Sequence, residues 1–256
     1  MKKFFLVLVL SNLSIQAQSV RVIYSQKEMV SQQRLDAMPS DVRNAKLAEM
    51  KVPKLFTLEI SDGISLFQKD KSTKDFKYEN KEPSTIAENS FFESKIIVNK
   101  KNTPLFYYKE LNNDLMLFKL TNGGIDFDGK DKLISWNWEI TNETKMIVGY
   151  TCKKAISRTF NEYFTAWFTE DIPVNAGPEK FDGLPGLILS VNTGYTEFTA
   201  EKIEILAAKI SIVKLILPST TATLSEMFDQ ASQKFEKDTK FRSKKADGIF
   251  IRTETY

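Results

Sequence analysis

From Ile134 to Ile140, apolar and polar side chains alternate without a break. A period of two marks a β-strand with one face in a core and the other in water. Ile134, Trp136, Trp138 and Ile140 share one face, and Ser135, Asn137 and Glu139 the other, which predicts a strand over 133–141. Further segments of strand character recur at 20–25, 55–60, 64–67, 94–99, 105–110, 115–120, 145–157, 162–169, 187–191, 197–205 and 210–217. Turn formers separate them. Ser61-Asp62-Gly63 is a compact hairpin signal, and Asn122-Gly123-Gly124 and Asp128-Gly129-Lys130 read as turns. A chain built this way is constrained to a large, mainly antiparallel sheet.

Helices are expected towards the two ends. The stretch 26–50 is polar, with apolar residues at Leu35, Met38, Val42, Ala45 and Leu47, and predicts helix that restarts after Pro39 with Ser40 as cap. The stretch 69–90 is charged, holds Pro83 and reads as an exposed loop. Thr223 and Glu226 have capping-box spacing. Leu224, Met227, Phe228, Ala231 and Phe235 then form one apolar helix face, read as a core face. A final strand is expected over 248–256. No repeat and no Pro/Ser-rich linker divides 19–256, so it reads as a single domain. The fold class is α+β: a predominantly antiparallel β-sheet with a helix in the C-terminal region and one or more N-terminal helical segments. By analogy of element order, the sheet is expected to curve as in the half-barrel of lipoprotein carriers, with helices across its opening.

Residues 1–18 read as an address. Lys2 and Lys3 precede a short apolar run from Phe4 to Leu10, and small and polar residues follow up to Ala17 and Gln18. This is the pattern of a secretory signal peptide, with cleavage expected after Ala17 or Gln18. No cysteine follows, so the product is not a lipoprotein, and export to the periplasm or beyond is expected. Loss of Lys2 and Lys3 lowers the formal charge of +3 by two, to +1. Basic residues elsewhere are interleaved with acids, as in Lys69-Asp70-Lys71, and Arg242-Ser243-Lys244-Lys245 is a short solvated cluster. Nucleic acid is therefore not an expected partner. No later stretch is apolar enough to span a membrane.

Composition removes several chemistries. The chain has no histidine and one cysteine. Ser-His, Cys-His and His-metal mechanisms cannot be assembled from it, nor can an intrachain disulfide or a cysteine zinc cage. Cys152 reads as a buried inert thiol, with pairing to another protein's cysteine as the alternative. Glu170, Asp171 and Asp182 are weak candidates for a carboxylate acid–base pair, alongside Glu179; the competing reading is solvated loop acids. Asp126, Asp128 and Asp131 have oxygen-ligand character but fall short of a calcium loop, so no metal and no cofactor is expected. There is no nucleophile elbow. The 19 Phe, 8 Tyr and 3 Trp support a sizeable core, and some of them would suit a cavity for a greasy ligand.

The most distinctive segment is Ala166-Trp167-Phe168-Thr169-Glu170-Asp171-Ile172-Pro173, followed by Gly177-Pro178-Glu179-Lys180-Phe181-Asp182-Gly183-Leu184-Pro185-Gly186-Leu187-Ile188. Pro185 suits the first central position of a type II turn, and Gly186 the second, where φ is positive. The segment reads as a strand–turn–strand junction. The hexapeptide from Gly183 to Ile188 resembles the GLPGLI family of Bacteroidota. The upstream Tyr150-x-Cys152-x-Lys154-Ala155, the segment Ala166-Trp167, Ile172-Pro173 and Gly177-Pro178 extend the resemblance. It implies an envelope setting, often associated with outer-membrane transport systems, and carries over no catalytic residues.

The expectation is an exported envelope-accessory or binding protein that holds a hydrophobic ligand or segment and is not an enzyme. The alternatives are a carboxylate-dependent hydrolase and a structural partner of an outer-membrane transport protein. Convergent acids in a pocket would favour the hydrolase, and an aromatic cavity without them would favour binding.

Overall fold

A computed structural model describes residues 19–87, 90–100 and 103–242. The expected leader (1–18), the final strand (248–256) and Ser243, Lys244 and Lys245 lie outside the described residues. The order of elements is β1 (Ser19–Glu28), α1 (Gln32–Asp36), α2 (Ser40–Met50), β2 (Lys54–Ser61), β3 (Ile64–Lys69), β4 (Phe76–Ala87), β5 (Ser90–Lys100), β6 (Phe106–Glu110), β7 (Leu115–Asn122), β8 (Ile125–Asp131), β9 (Glu139–Ile147), β10 (Tyr150–Thr159), β11 (Glu162–Thr169), β12 (Leu187–Asn192), β13 (Thr196–Leu206) and α3 (Leu224–Arg242). Eleven strands form one antiparallel sheet in the order β8-β7-β6-β3-β2-β1-β13-β12-β11-β10-β9. Among the described residues, β4 and β5 pair only with each other.

Tight turns set the register. β2–β3, β7–β8, β9–β10 and β10–β11 are each joined by two residues, and all eight have positive φ: Asp62-Gly63, Gly123-Gly124, Val148-Gly149 and Phe160-Asn161. Such loops match the twist of the strands they join. The register then places Val20 opposite Ile60, Val22 opposite Leu58 and Tyr24 opposite Phe56, all buried. Each such side chain contributes about 1.5–3 kcal/mol on burial.

The sheet is open and strongly curled. β8 and β9 are its two edges, yet they are consecutive strands in the chain. Laid flat, ten inter-strand steps of about 4.8 Å would separate them by about 48 Å. The link from Asp131 to Glu139 reaches no more than about 29 Å even when fully extended. The edges are therefore drawn together. α3 sits across the gap: its first residue, Leu224, donates its backbone N–H to Asp131 of β8 at 3.0 Å, while Phe228 packs on Phe160 of the β10–β11 turn. This is the curved sheet with a helix at its opening that the element order suggested.

Several sequence expectations are corrected. The alternating run over 133–141 is mostly not a strand; β9 begins only at Glu139, and Asn137, at φ 48°, breaks the extended path. Residues 132–138 instead cross between the sheet edges, burying Trp136 while Ile140 is exposed. The stretch 145–157 is split by the Val148-Gly149 turn. Asp128-Gly129-Lys130 is no turn but lies within β8. Gly129 pairs with Phe118, whose ring occupies the space a Cβ would need. Much of the expected loop at 69–90 is β4, whose backbone is satisfied by β5, and Pro83 is tolerated because the ribbon has only two strands. The segment 210–217 joins no strand. Ser40 is the first residue of α2 and Pro39 its cap. The capping box holds: the Thr223 backbone N–H donates to Glu226 at 2.8 Å, and the Glu226 N–H donates to the Thr223 hydroxyl at 3.3 Å. Leu224, Met227 and Ala231 are buried as expected, but Phe228 is exposed. The side chain of Phe235 lies outside the described residues.

A cluster of charges ties α2 to the ends of β1 and β2. Glu28 accepts from Lys46 and, at 2.6 Å, from Lys54; Glu49, only 4% exposed, receives Lys46, Lys54 and Lys100. Burial pushes the Glu28 carboxyl up, but the two lysines together outweigh it and hold it at about 2. A carboxylate held low stabilises the fold above its unfolded value and loses that contribution as pH falls through the folded value. Glu28→Gln is expected to cost about 2 kcal/mol at neutral pH, after allowance for solvent screening. In urea unfolding, the gap from the parent protein closes between pH 4.5 and 2; parallel curves across that window would show that the cluster has no such role.

Candidate functional site

The family-motif residues build a plug in the curled sheet. In β10 and β11, Ala155 and Ala166 stand directly opposite each other, both fully buried. Cys152 is also buried, although an alternating strand would put it on the opposite face from Ala155. The register shift between Lys153 and Ala155 resolves this. Tyr150 is half-buried against the core, and Lys154 turns out to meet Glu143 at 2.8 Å. Trp167 is half-buried beneath the Lys145 ammonium, 4.4 Å from the ring centroid. Burial pushes the Cys152 thiol up to about 11, against the pull of Lys145. The thiol is expected to stay unmodified by a disulfide reagent until the protein is unfolded; rapid labelling of the native protein would contradict this placement.

Beyond β11, the loop 170–186 folds back over the core. The Leu187 N–H donates to Ile172 O at 3.0 Å and the Ile188 N–H to Ala176 O at 2.9 Å. Pro173 is exposed, and Pro178 accepts from the Phe181 N–H at 3.1 Å. Gly177 lies against Ile188, where a Cβ would come within 2.8 Å of that side chain. Gly183 has φ 86° and donates to Asn175. Leu184, Leu187 and Ile188 are buried, and Pro185 is exposed. The expected type II turn is corrected: Gly186 has no positive φ. It is needed because its backbone passes against Thr169, whose carbonyl oxygen occupies the position of a Cβ.

The plug is held from below by a lysine outside the motif. Lys109 of β6 is fully buried. It donates to Phe181 O at 2.7 Å and lies 3.1 Å from the Asp182 carboxylate. Burial pushes Lys109 down and Asp182 up, despite their mutual attraction. The signal was present: Lys109 shares its strand face with Tyr107, so it occupies an inward position. Above the pair, Phe181 stacks on Trp136 at 4.5 Å, and Trp138 donates to Asp182 O at 2.8 Å.

The candidate acids are not brought together. Glu170 is exposed and pairs with Lys153 at 2.7 Å, Asp171 is exposed, and Asp182 is buried against Lys109. The aspartates of β8 are separately engaged: Asp126 with Thr121, Asp128 with Lys119, and Asp131 at the start of α3. Among the described residues, no group of three acidic or cysteine side chains is placed to hold a metal ion.

Beside the plug lies a cleft of about 450 Å³. Its walls come from the β10–β11 turn, the motif loop, the β12–β13 hairpin and the first turns of α3. Phe160 (55% exposed), Tyr195 (62%) and Phe228 (41%) present open ring surface to it. Phe160 is held at φ 56°, a conformation that costs a bulky residue energy. Tyr195 rides on a hairpin tied by Thr193 N–H to Thr196 O at 2.9 Å. Glu162, Glu179, Lys180 and Asp229 line the same space. Glu179 and Lys180 pair at 3.3 Å, whereas Glu162 and Asp229 form no ion pair among the described residues. A smaller hollow of about 250 Å³ adjoins it, lined by Met29, Val30, Met38 and Arg34; Tyr195 and Thr196 border both.

A family model described as "N-glycanase peptide, N-terminal domain" matches residues 61–232, well over half of the chain. The chain belongs to this family. The stretch matched by the N-glycanase peptide, N-terminal domain runs from the end of β2 into α3, and it contains the whole plug and every residue lining the larger cleft. The smaller hollow is built mostly from β1, α1, α2 and the segments that join them, upstream of that match. Among solved structures, PNGF-II in space group C2 is similar at 17% identity and TM-score 0.45, covering 77% of this chain and 29% of that one. PNGF-II in space group P21 gives 16% identity and TM-score 0.48, with 85% and 34% covered. The chain thus spans about a third of the length of these relatives. No curated protein matches it.

Proposed function

We propose that this protein is an exported envelope-accessory binding domain, and that the cleft around Tyr195 is its ligand site. The observation that carries this reading is three aromatic rings left open around one cleft, in a fold that buries most of its other large apolar side chains. Exposed aromatic surface is costly in water and is retained where something covers it. Glu170, Asp171 and Asp182, the candidate acids of the alternative hydrolase reading, do not line the cleft, and of the acids that do, Glu179 is paired with Lys180; both points support binding over carboxylate catalysis. The family description names a terminal domain of a larger glycanase, and this too supports an accessory part rather than a complete reaction. The signal-peptide pattern of residues 1–18 and the resemblance to GLPGLI proteins support an envelope setting, with an outer-membrane transport protein as a candidate neighbour.

The test is native mass spectrometry of the protein isolated from its own envelope, beside a Phe160→Ala/Tyr195→Ala/Phe228→Ala variant. The expected result is a stoichiometric bound species in the parent protein and its loss in the variant, at a similar melting temperature. A species retained equally by both proteins, or absent from both, would overturn the assignment of the cleft.

A further inference from the structure

Two features of the cleft narrow the chemistry of its ligand. The first is electrostatic. Lys180 is balanced by Glu179, which leaves Glu162 and Asp229 as negative charge with no ion-pair partner among the described residues. Phe160, Tyr195 and Phe228 add the exposed surface of three rings, whose faces carry the negative side of the aromatic quadrupole. Carboxylates and aromatic faces around one space favour an organic cation, because both attract positive charge and both repel an anion. The second feature is the adjoining hollow across Tyr195, where Met29, Val30 and Met38 offer apolar surface beside the charged Glu28, Arg34 and Lys46. A ligand that fills both sides of the tyrosine needs a cationic arm and an apolar arm on one backbone.

We propose that the cleft docks an extended peptide segment of a partner protein, with a Lys or Arg side chain lodged between Glu162, Asp229 and the aromatic rings, and a neighbouring apolar side chain in the hollow beyond Tyr195. This rests on the binding reading above and deepens it. The cation lies over the rings, where desolvation strengthens its attraction to them. The guanidinium or ammonium meets the two carboxylates at the mouth.

The experiment screens the full protein against a positional-scanning hexapeptide library. The preferred hexapeptide is then titrated calorimetrically beside the same peptide carrying citrulline or norleucine in place of its basic residue. Selection of Lys or Arg at one position, with an apolar residue at a neighbouring one, is expected. The neutral replacement should weaken binding by about tenfold or more, and so should Glu162→Gln/Asp229→Asn in the protein. Both acids are exposed, so this double variant should melt as the parent does. A library that selects no basic residue, or a titration indifferent to citrulline, overturns the inference. If a natively bound species is nevertheless lost on Tyr195→Ala, the binding reading stands and only the cationic peptide falls; if that species is unaffected as well, both fall.

Discussion

Gly186→Ala is expected to lower the melting temperature by roughly 6–12 °C, equivalent to about 3 kcal/mol for a domain of this size. The added carbon meets the Thr169 carbonyl oxygen and the backbone of Glu170. Neither can rotate away as a flexible side chain would, because Thr169 is paired with Leu187 in the β11–β12 ladder. Relief requires the start of β12 to lift from β11, which also strains the Leu187 N–H bond to Ile172. Neighbouring Pro185, exposed on the loop, is the control: Pro185→Ala should cost less than about 1 kcal/mol, chiefly by loosening the unfolded chain. Thermal melts of the two variants decide the matter. An unchanged melt for Gly186→Ala would mean that the two backbones are not in contact.

The second large effect is expected at Lys109. Lys109→Met keeps most of the side-chain volume but leaves Asp182 buried without a cation and Phe181 O without its donor. Breaking one side of a buried pair costs about 3–5 kcal/mol. The pair itself is no simple source of stability. Burial raises Asp182 and lowers Lys109, so each charge is less favourable in the fold than in water. A carboxyl raised by folding favours the folded state below its unfolded value, and that contribution is lost as pH rises through the folded value. The deficit of Lys109→Met should therefore shrink as pH falls and Asp182 takes up a proton. Adding Asp182→Leu to Lys109→Met should recover most of the loss at neutral pH. Denaturant melts at several pH values would show this. A deficit independent of pH, with no rescue by the second substitution, would separate Asp182 from the effect of Lys109.

Much of the architecture was legible in local pattern. β1, β2, β3, β6, β7, β11, β12 and β13 are close to where their apolar spacing put them, and the Thr223–Glu226 capping box starts α3. The misreadings share a cause. The run from Ile134 to Ile140 alternates because its tryptophans must enter a core from an irregular link, not because it sits in a ladder. Gly129 resembled a turn residue because an absent side chain looks the same in sequence whether it frees φ or makes room for Phe118. Gly186 shows the same ambiguity: its missing side chain makes room for the Thr169 carbonyl rather than freeing φ.

The candidate site was less legible than the fold. Phe160, Glu162, Tyr195 and Asp229 come from a turn, a strand, a hairpin and a helix, and no spacing links them. The motif loop, through Glu179 and Lys180, and Phe228 on the apolar face of α3 marked the neighbourhood.

Sequence alone determined the short-range events: which stretches extend, where tight turns and a helix cap close them, and the absence of histidine chemistry. These depend on neighbours within a few residues. Tertiary structure decided which strands became the two edges, how far the sheet curled, and that Lys109 would reach Phe181 O across 72 residues of chain and pair with Asp182 beside it. It also decided that Phe228 would stand open beside Phe160 while Met227 was buried. Those outcomes depend on which surfaces meet once the sheet bends, and that is a property of the assembled layers rather than of any local segment.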